Sequence, residues 1–146
     1  MNVLKGILLI DDNRFLNLLN FNMIKSLGIA EEVHVVKNGY EALDFLDDCL
    51  YNSDKTLPEL ILLDLIMPEL DGRGFLNYFK KYVGNGRCKV IVLSSYVDQK
   101  EIDELKELGV VDIIFKPLKD QILIETIKKI FPEKQLQYSK SPRVDY

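Results

Sequence analysis

A chain of 146 residues is one domain's worth, and 47% hydrophobic with 29% charged residues is a globular balance, not a disordered one. Nineteen Lys and Arg against 23 Asp and Glu give a net charge of −4, which disfavours non-specific binding to DNA or to an anionic membrane. No apolar run exceeds four residues and no small-residue cleavage site follows Met1 to Lys5, so a cytoplasmic protein with no membrane insertion is expected.

In chain order, a short apolar run at Ile7–Ile10 predicts the first strand. Phe15, Leu19, Met23 and Leu27 form an apolar stripe at spacing four, the pattern of a core-facing helix side, and Gly28 is the expected stop. Val33–Val36, interrupted by His34, predicts the second strand. Asn38-Gly39-Tyr40-Glu41 has the form of a capping box opening a helix that carries Ala42, Leu46 and Cys49. After a polar loop at Tyr51–Pro58 comes the third strand, Leu60–Leu63. Phe75, Phe79 and Tyr82 or Val83 mark a third helix, ended by Gly84 and Gly86. The fourth strand is Val90–Leu93. Asp98 with Glu101 caps a fourth helix bearing Ile102, Leu105 and Leu108, with Gly109 at its end. Val110–Phe115 is the fifth strand, and Leu123, Ile127 and Ile130 mark a fifth helix halted before Pro132. Residues 132–146 read as a flexible polar tail.

Five alternations of strand and helix with short connections predict an α/β fold, a parallel sheet with helices packed on it. Cys49 and Cys88 fall in no metal or redox spacing, so both thiols are expected free.

In open α/β sheets ligands bind beyond the carboxyl ends of the strands. The first strand runs into Asp11-Asp12, the third into Asp64, the fourth into Ser94-Ser95 and the fifth into Lys116-Pro117. Singly, each has a plain structural reading: Asp12 or Asn13 caps a helix, Asp64 opens a turn, Ser94 caps the next helix, Lys116 is a solvated cation. Together they favour a site, because adjacent carboxylates repel unless something positive lies between them. Hard oxygen ligands without His or Cys suit Mg²⁺ (or Mn²⁺), and a carboxylate is a competent nucleophile toward phosphorus.

The set Asp11-Asp12, Asp64-x-x-Met67-Pro68-x-x-Asp71-Gly72, Ser94 and Lys116-Pro117 resembles the receiver (CheY-like) domain of two-component response regulators, over about residues 5 to 131. The resemblance implies a flavodoxin-like, doubly wound, five-stranded sheet of order 2-1-3-4-5. It implies that Asp64 is the phosphoacceptor, that Asp12 and Asp64 hold Mg²⁺ through their side chains, Asp11 largely through water and Ile66 through its backbone carbonyl, that Lys116 pairs with the phosphoryl group, and that Ser94 is the switch hydroxyl. It also implies a Lys116-Pro117 bond that is often cis. The phosphate source would be a histidine kinase or a phosphotransfer protein. Receivers of this kind usually place Tyr or Phe three residues before the lysine; here that residue is Ile113, so an aromatic flip there cannot be the output. Ile66 and Tyr96, two residues past Asp64 and Ser94, occupy positions that govern dephosphorylation, and bulky apolar groups there are expected to hinder an attacking water.

His34, inside a strand and away from the acids, is expected to be structural. Lys80-Lys81 and Lys128-Lys129 read as solvated helix faces, and the basic tail residues Lys134, Lys140 and Arg143 as frayed. The expected organisation is a receiver over 1–131 with no fused output domain. Output would then pass to an unknown downstream protein through the fourth helix, fifth strand and fifth helix, or the phosphoryl group would be relayed to another histidine. The chain is not expected to be an enzyme: self-phosphorylation and slow self-dephosphorylation are the only reactions expected. Two alternatives are weaker. A Mg²⁺-dependent phosphohydrolase would want a second acid where Ile66 stands, and a phosphate-independent interaction module would have no use for the full acidic set.

Overall fold

Among the described residues, five strands and five α-helices alternate. They are β1 (Leu4–Ile10), α1 (Arg14–Leu27), β2 (Ala30–Val36), α2 (Gly39–Tyr51), β3 (Leu60–Asp64), α3 (Gly72–Tyr82), β4 (Lys89–Ser94), α4 (Gln99–Glu107), β5 (Val110–Phe115) and α5 (Asp120–Ile130). The computed structural model describes residues 3–67, 69–84 and 86–136. Pro68 of the acidic motif, and Lys140 and Arg143 of the tail, lie outside the described residues.

The strands form one parallel sheet in the order β2-β1-β3-β4-β5. Side chains alternate faces along each strand. Ile7, Leu9, Leu62, Ile91 and Leu93 pack with Ile24 and Leu27 of α1 and Leu123 and Ile127 of α5. Leu8, Ile10, Ile61, Leu63, Val90 and Val92 pack with Ala42, Leu46, Phe75, Phe79 and Leu105 of α2, α3 and α4. The three inner strands are therefore apolar on both faces, which explains their uninterrupted runs. β2 and β5 are the edges, and each leaves part of its length exposed.

The helix termini follow their capping chemistry. Asn13 Oδ1 accepts from Leu16 N at 3.0 Å, Asn38 Oδ1 from Glu41 N at 2.8 Å, and Asp98 Oδ1 from Glu101 N at 2.8 Å. The Glu41 carboxylate accepts from Lys37 N at 3.2 Å, one residue earlier than a reciprocal capping box has it. Gly28 ends α1 in the left-handed region at φ 65°, which a residue with a Cβ enters only with strain.

Two expectations are corrected. Phe15 and Leu19 do not face the sheet: Phe15 is 66% exposed, Leu19 is exposed with it, and the buried face of α1 is Asn17, Ile24 and Leu27 with Phe21 and Met23 partly covered. At 3.6 residues per turn a stripe at spacing four drifts by about 40° each step, so a line anchored on Leu27 has rotated off the sheet by Leu19. Nor does the chain fray at Pro132. A 3₁₀ turn spans Pro132–Lys134, Lys134 Nζ pairs with Glu59 at 3.0 Å, and Leu136 is buried in the α1–α5 core. The ordered body thus extends five residues past the expected boundary at 131; residues 137–146 lie outside the described residues.

Candidate functional site

β1 and β3 are adjacent and pair Ile10 with Leu63, so the next residue of each strand, Asp11 and Asp64, emerge side by side at the carboxyl edge. Asp12 follows in the β1–α1 turn. One carboxylate oxygen from each of the three acids lies within 4.8 Å of the other two. β4 pairs Ser94 with Phe115, which puts Lys116 one residue beyond the partner of Ser94. Its ammonium reaches back across the strand ends to Asp11 Oδ2 at 3.2 Å and Asp64 Oδ1 at 3.3 Å. The Lys116-Pro117 bond is cis.

Three carboxylates against one ammonium leave two uncompensated negative charges in a partly buried corner. Burial raises the Asp64 carboxyl above its ordinary value, and the Asp11 charge raises it further. Lys116 and a backbone N–H from Ile66 pull the other way without cancelling this. Burial works against the charged form of Lys116, but Asp11 and Asp64 outweigh it and hold the ammonium protonated, its pKa raised. A hard divalent cation fits this donor set: it would be held by Asp11, Asp12 and Asp64 and would remove the residual charge.

The rest of the acidic motif positions the β3–α3 loop. Asp71 caps α3, its Oδ1 accepting from Gly74 N at 2.9 Å. Gly72 N donates to Leu65 O at 3.0 Å, and a Cβ at residue 72 would stand 2.8 Å from the Asp64 carbonyl oxygen. The glycine is therefore required by close approach to the acid-bearing strand end.

Ser94 is buried, and its hydroxyl is engaged within its own loop. Oγ donates to Tyr96 O at 3.0 Å and accepts from Tyr96 N at 3.3 Å. Ile113 is half-buried against the α2–α4 side of the core. Ile66 is 83% exposed and Tyr96 is 74% exposed, on the loops that follow Asp64 and Ser94.

His34 sits apart from the acids, its ring 4.8 Å from that of Phe45 and its Nε2 3.2 Å from Glu32. The thiols of Cys49 and Cys88 are free and buried, and burial pushes Cys88 up to about 12.

Asn17 escapes a reading of strand ends. It is 6% exposed, and its Nδ2 donates to the Asp11 main-chain oxygen at 2.6 Å. The clue to it is a polar residue on the sheet-facing side of α1, visible only once that face is placed correctly.

The family model for the response regulator receiver domain matches residues 7–128, and the chain belongs to that family. It is 30% identical over 128 residues to the sporulation initiation phosphotransferase F of Bacillus subtilis (strain 168), covering 88% of this chain and 94% of that protein. It is 28% identical over 126 residues to the chemotaxis protein CheY of Thermotoga maritima, covering 86% of this chain and 97% of that protein. Among solved structures it is similar to a two-component response regulator from Cytophaga hutchinsonii, with TM-score 0.79 and 26% identity over 89% of this chain and 98% of that one. It is also similar to the receiver domain of the histidine kinase CKI1 from Arabidopsis thaliana complexed with Mg²⁺, with TM-score 0.74 and 26% identity over 86% and 91% of the two chains. Receiver domains are signalling modules rather than enzymes with a turnover substrate. Among the described residues no helix is long and apolar enough to cross a membrane.

Proposed function

We propose that the chain accepts a phosphoryl group on Asp64 from a phosphohistidine on a histidine kinase or phosphotransfer protein, in a reaction that needs Mg²⁺ (or Mn²⁺). One observation carries this reading: the carboxylates of Asp11, Asp12 and Asp64 converge within 4.8 Å, with Lys116 3.3 Å from Asp64. An Asp64 oxygen attacks phosphorus as the bond to the donor's imidazole nitrogen breaks, and that nitrogen keeps the electron pair. The divalent cation, when bound, supplies positive charge to the phosphoryl oxygens, with the Ile66 carbonyl as a further ligand. Lys116, already protonated, supplies the second positive charge and donates to a phosphoryl oxygen. Ser94 leaves Tyr96 O and donates to another, which reshapes the β4–α4 loop and biases a two-state surface.

The site's surroundings suit protein partners. Phe15, Leu18 and Leu19 form an exposed apolar stripe on α1, close behind Asp11-Asp12. Beside it a cleft of about 680 Å³ is lined by Arg14, Asn17, Leu18, Phe21, Val35, Val36, Lys37 and Glu41. The phosphodonor docks on this face, and the downstream protein reads α4, β5 and α5, where Val111, Phe115 and Ile122 are exposed. With Ile113 in place of an aromatic, the readout rests on the β4–α4 loop rather than on a ring flip at that position.

Acetyl phosphate with Mg²⁺ tests the reading. The expected result is a mass gain of one phosphoryl group, absent with chelator and absent in Asp64→Asn. A phosphate-independent interaction module would gain nothing under any of these conditions.

A further inference from the structure

We propose that Asn17 is a positioning residue for the metal-binding carboxylates, holding the Asp11 main chain so that its side chain faces Asp64 and Lys116. The inference rests on the metal-dependent reading above and extends it to a residue in the second turn of α1.

Asp11 lies one residue beyond the last paired position of β1, where the sheet holds only its N–H. One last ladder bond and two side-chain hydrogen bonds fix it. Asp11 N donates to Val36 O at 3.2 Å, Asn13 N donates to Asp11 Oδ1 at 2.9 Å, and Asn17 Nδ2 donates to Asp11 O at 2.6 Å. The second of these orients the carboxylate, leaving Oδ2 to meet Lys116. The third is the only one that reaches Asp11 from the packed face of α1. Asn17 N makes the first backbone bond of α1, to Asn13 O at 3.0 Å, which any residue but proline at this position would make; only the side-chain bond to Asp11 O is particular to asparagine.

The orientation of the amide is determined. With the oxygen and nitrogen exchanged, two oxygens would meet at 2.6 Å, so Nδ2 must face the carbonyl. That leaves Asn17 Oδ1 buried and without a hydrogen-bond partner among the described residues. A buried acceptor without a partner works against folding, and an apolar residue of similar size would relieve it. A polar side chain held at such a cost on the core face of a helix points to the site it supports. Residues that orient metal ligands typically change metal affinity by about 10–100-fold when lost.

The test is a Mg²⁺ titration of the full chain, followed by amide chemical shifts without any phosphodonor. The variants are Asn17→Leu and Asn17→Ala, with Thr126→Val as a buried-polar control on α5, whose Oγ1 donates only to Ile122 O. The expected result is a Kd for Mg²⁺ about tenfold higher in both Asn17 variants and unchanged in Thr126→Val. In the metal-free protein the Asp11 amide should exchange with solvent faster in the Asn17 variants, while the Leu8 and Leu9 amides keep their protection. Wild-type Mg²⁺ affinity in Asn17→Ala, or an equal loss in Thr126→Val, would overturn the inference. If the unaltered chain takes up no Mg²⁺, the functional reading and this inference fall together; if it binds Mg²⁺ and Asn17→Ala binds equally well, only the role of Asn17 falls.

Discussion

The Lys116 ammonium stands 3.3 Å from the Asp64 carboxylate, although their strands, β5 and β3, are separated by β4. The lysine spans that gap because it leaves β5 beyond the last paired residue, where its stem lies over the strand ends. The same ammonium lies 3.2 Å from Asp11, so a single cation tempers two acids.

Replacing it should expose their repulsion. Lys116→Met is expected to destabilise the metal-free protein at pH 7 by roughly 1–3 kcal/mol, below the cost of breaking a fully buried pair. Saturating Mg²⁺ should recover most of the loss. Urea denaturation with chelator and with Mg²⁺ measures both; a loss that Mg²⁺ leaves untouched would mean that the acids do not share a cation site.

The raised Asp64 pKa has a pH signature. In the folded metal-free state Asp64 holds its proton more tightly than in the unfolded chain, so its contribution to stability is full at low pH and lost as pH rises through the folded value. Asp64→Asn is therefore expected to be more stable than the parent at neutral pH in chelator. The difference should close as pH falls toward the ordinary carboxylate value of 3.8. Thermal melts across that range report it, and a parent that outlasts Asp64→Asn at pH 7 would reverse the sign.

Gly72 presses on the backbone that carries Asp64. A Cβ there meets the Asp64 oxygen and Leu65 Cα, both at 2.8 Å. Gly72→Ala should cost about 1–3 kcal/mol of stability, as overpacking does, and should slow phosphorylation by displacing Asp64. Denaturation midpoints and the rate with acetyl phosphate check the two halves separately.

Ile66 and Tyr96 are exposed on the loops that follow Asp64 and Ser94, and in the proposed reading they govern how water reaches a phosphoryl group on Asp64. The double variant Ile66→Asn, Tyr96→Glu is expected to lose its phosphoryl group about tenfold faster, equivalent to about 1.4 kcal/mol off the barrier. Loss of phosphate from purified phosphoprotein follows this directly. An unchanged half-life would show that neither residue governs water access.

Leu18, on the proposed docking face, offers a test of docking apart from chemistry. Leu18→Asp puts a charge in the exposed α1 stripe while leaving the acid cluster intact. Phosphorylation by acetyl phosphate should be unaffected, whereas transfer from a phosphohistidine protein should fall at least about tenfold, as for a central interface residue. Equal rates of transfer from the protein donor would place its docking surface elsewhere.

Much of this is legible in the amino-acid sequence. The apolar runs, the glycine stops and the Asn38 and Asp98 caps are local signals, so the strands and helices fall within a few residues of expectation. Asp11, Asp12, Asp64 and Lys116 were legible for a different reason: each stands at the end of a strand or within two residues beyond it, and in a parallel sheet all strands end at one edge. The buried face of α1 was not. A spacing of four looks like a stripe in sequence but winds around the helix, so Phe15 and Leu19 face solvent and Asn17 faces the sheet. Leu136 was equally hidden, because one apolar residue in a polar stretch carries no period.

The amino-acid order by itself determined which elements form, that they alternate, and that acids and a lysine gather where strands end, because those properties depend on neighbours within a few positions. Tertiary structure alone decided the contacts that join distant segments: the two acids sharing Lys116, the Gly72 approach to Asp64, the Ser94 hydroxyl turned toward Tyr96, and the Asn17 amide on the Asp11 carbonyl. Each depends on a distance of a few ångströms or on a side-chain direction, and packing against the sheet sets both.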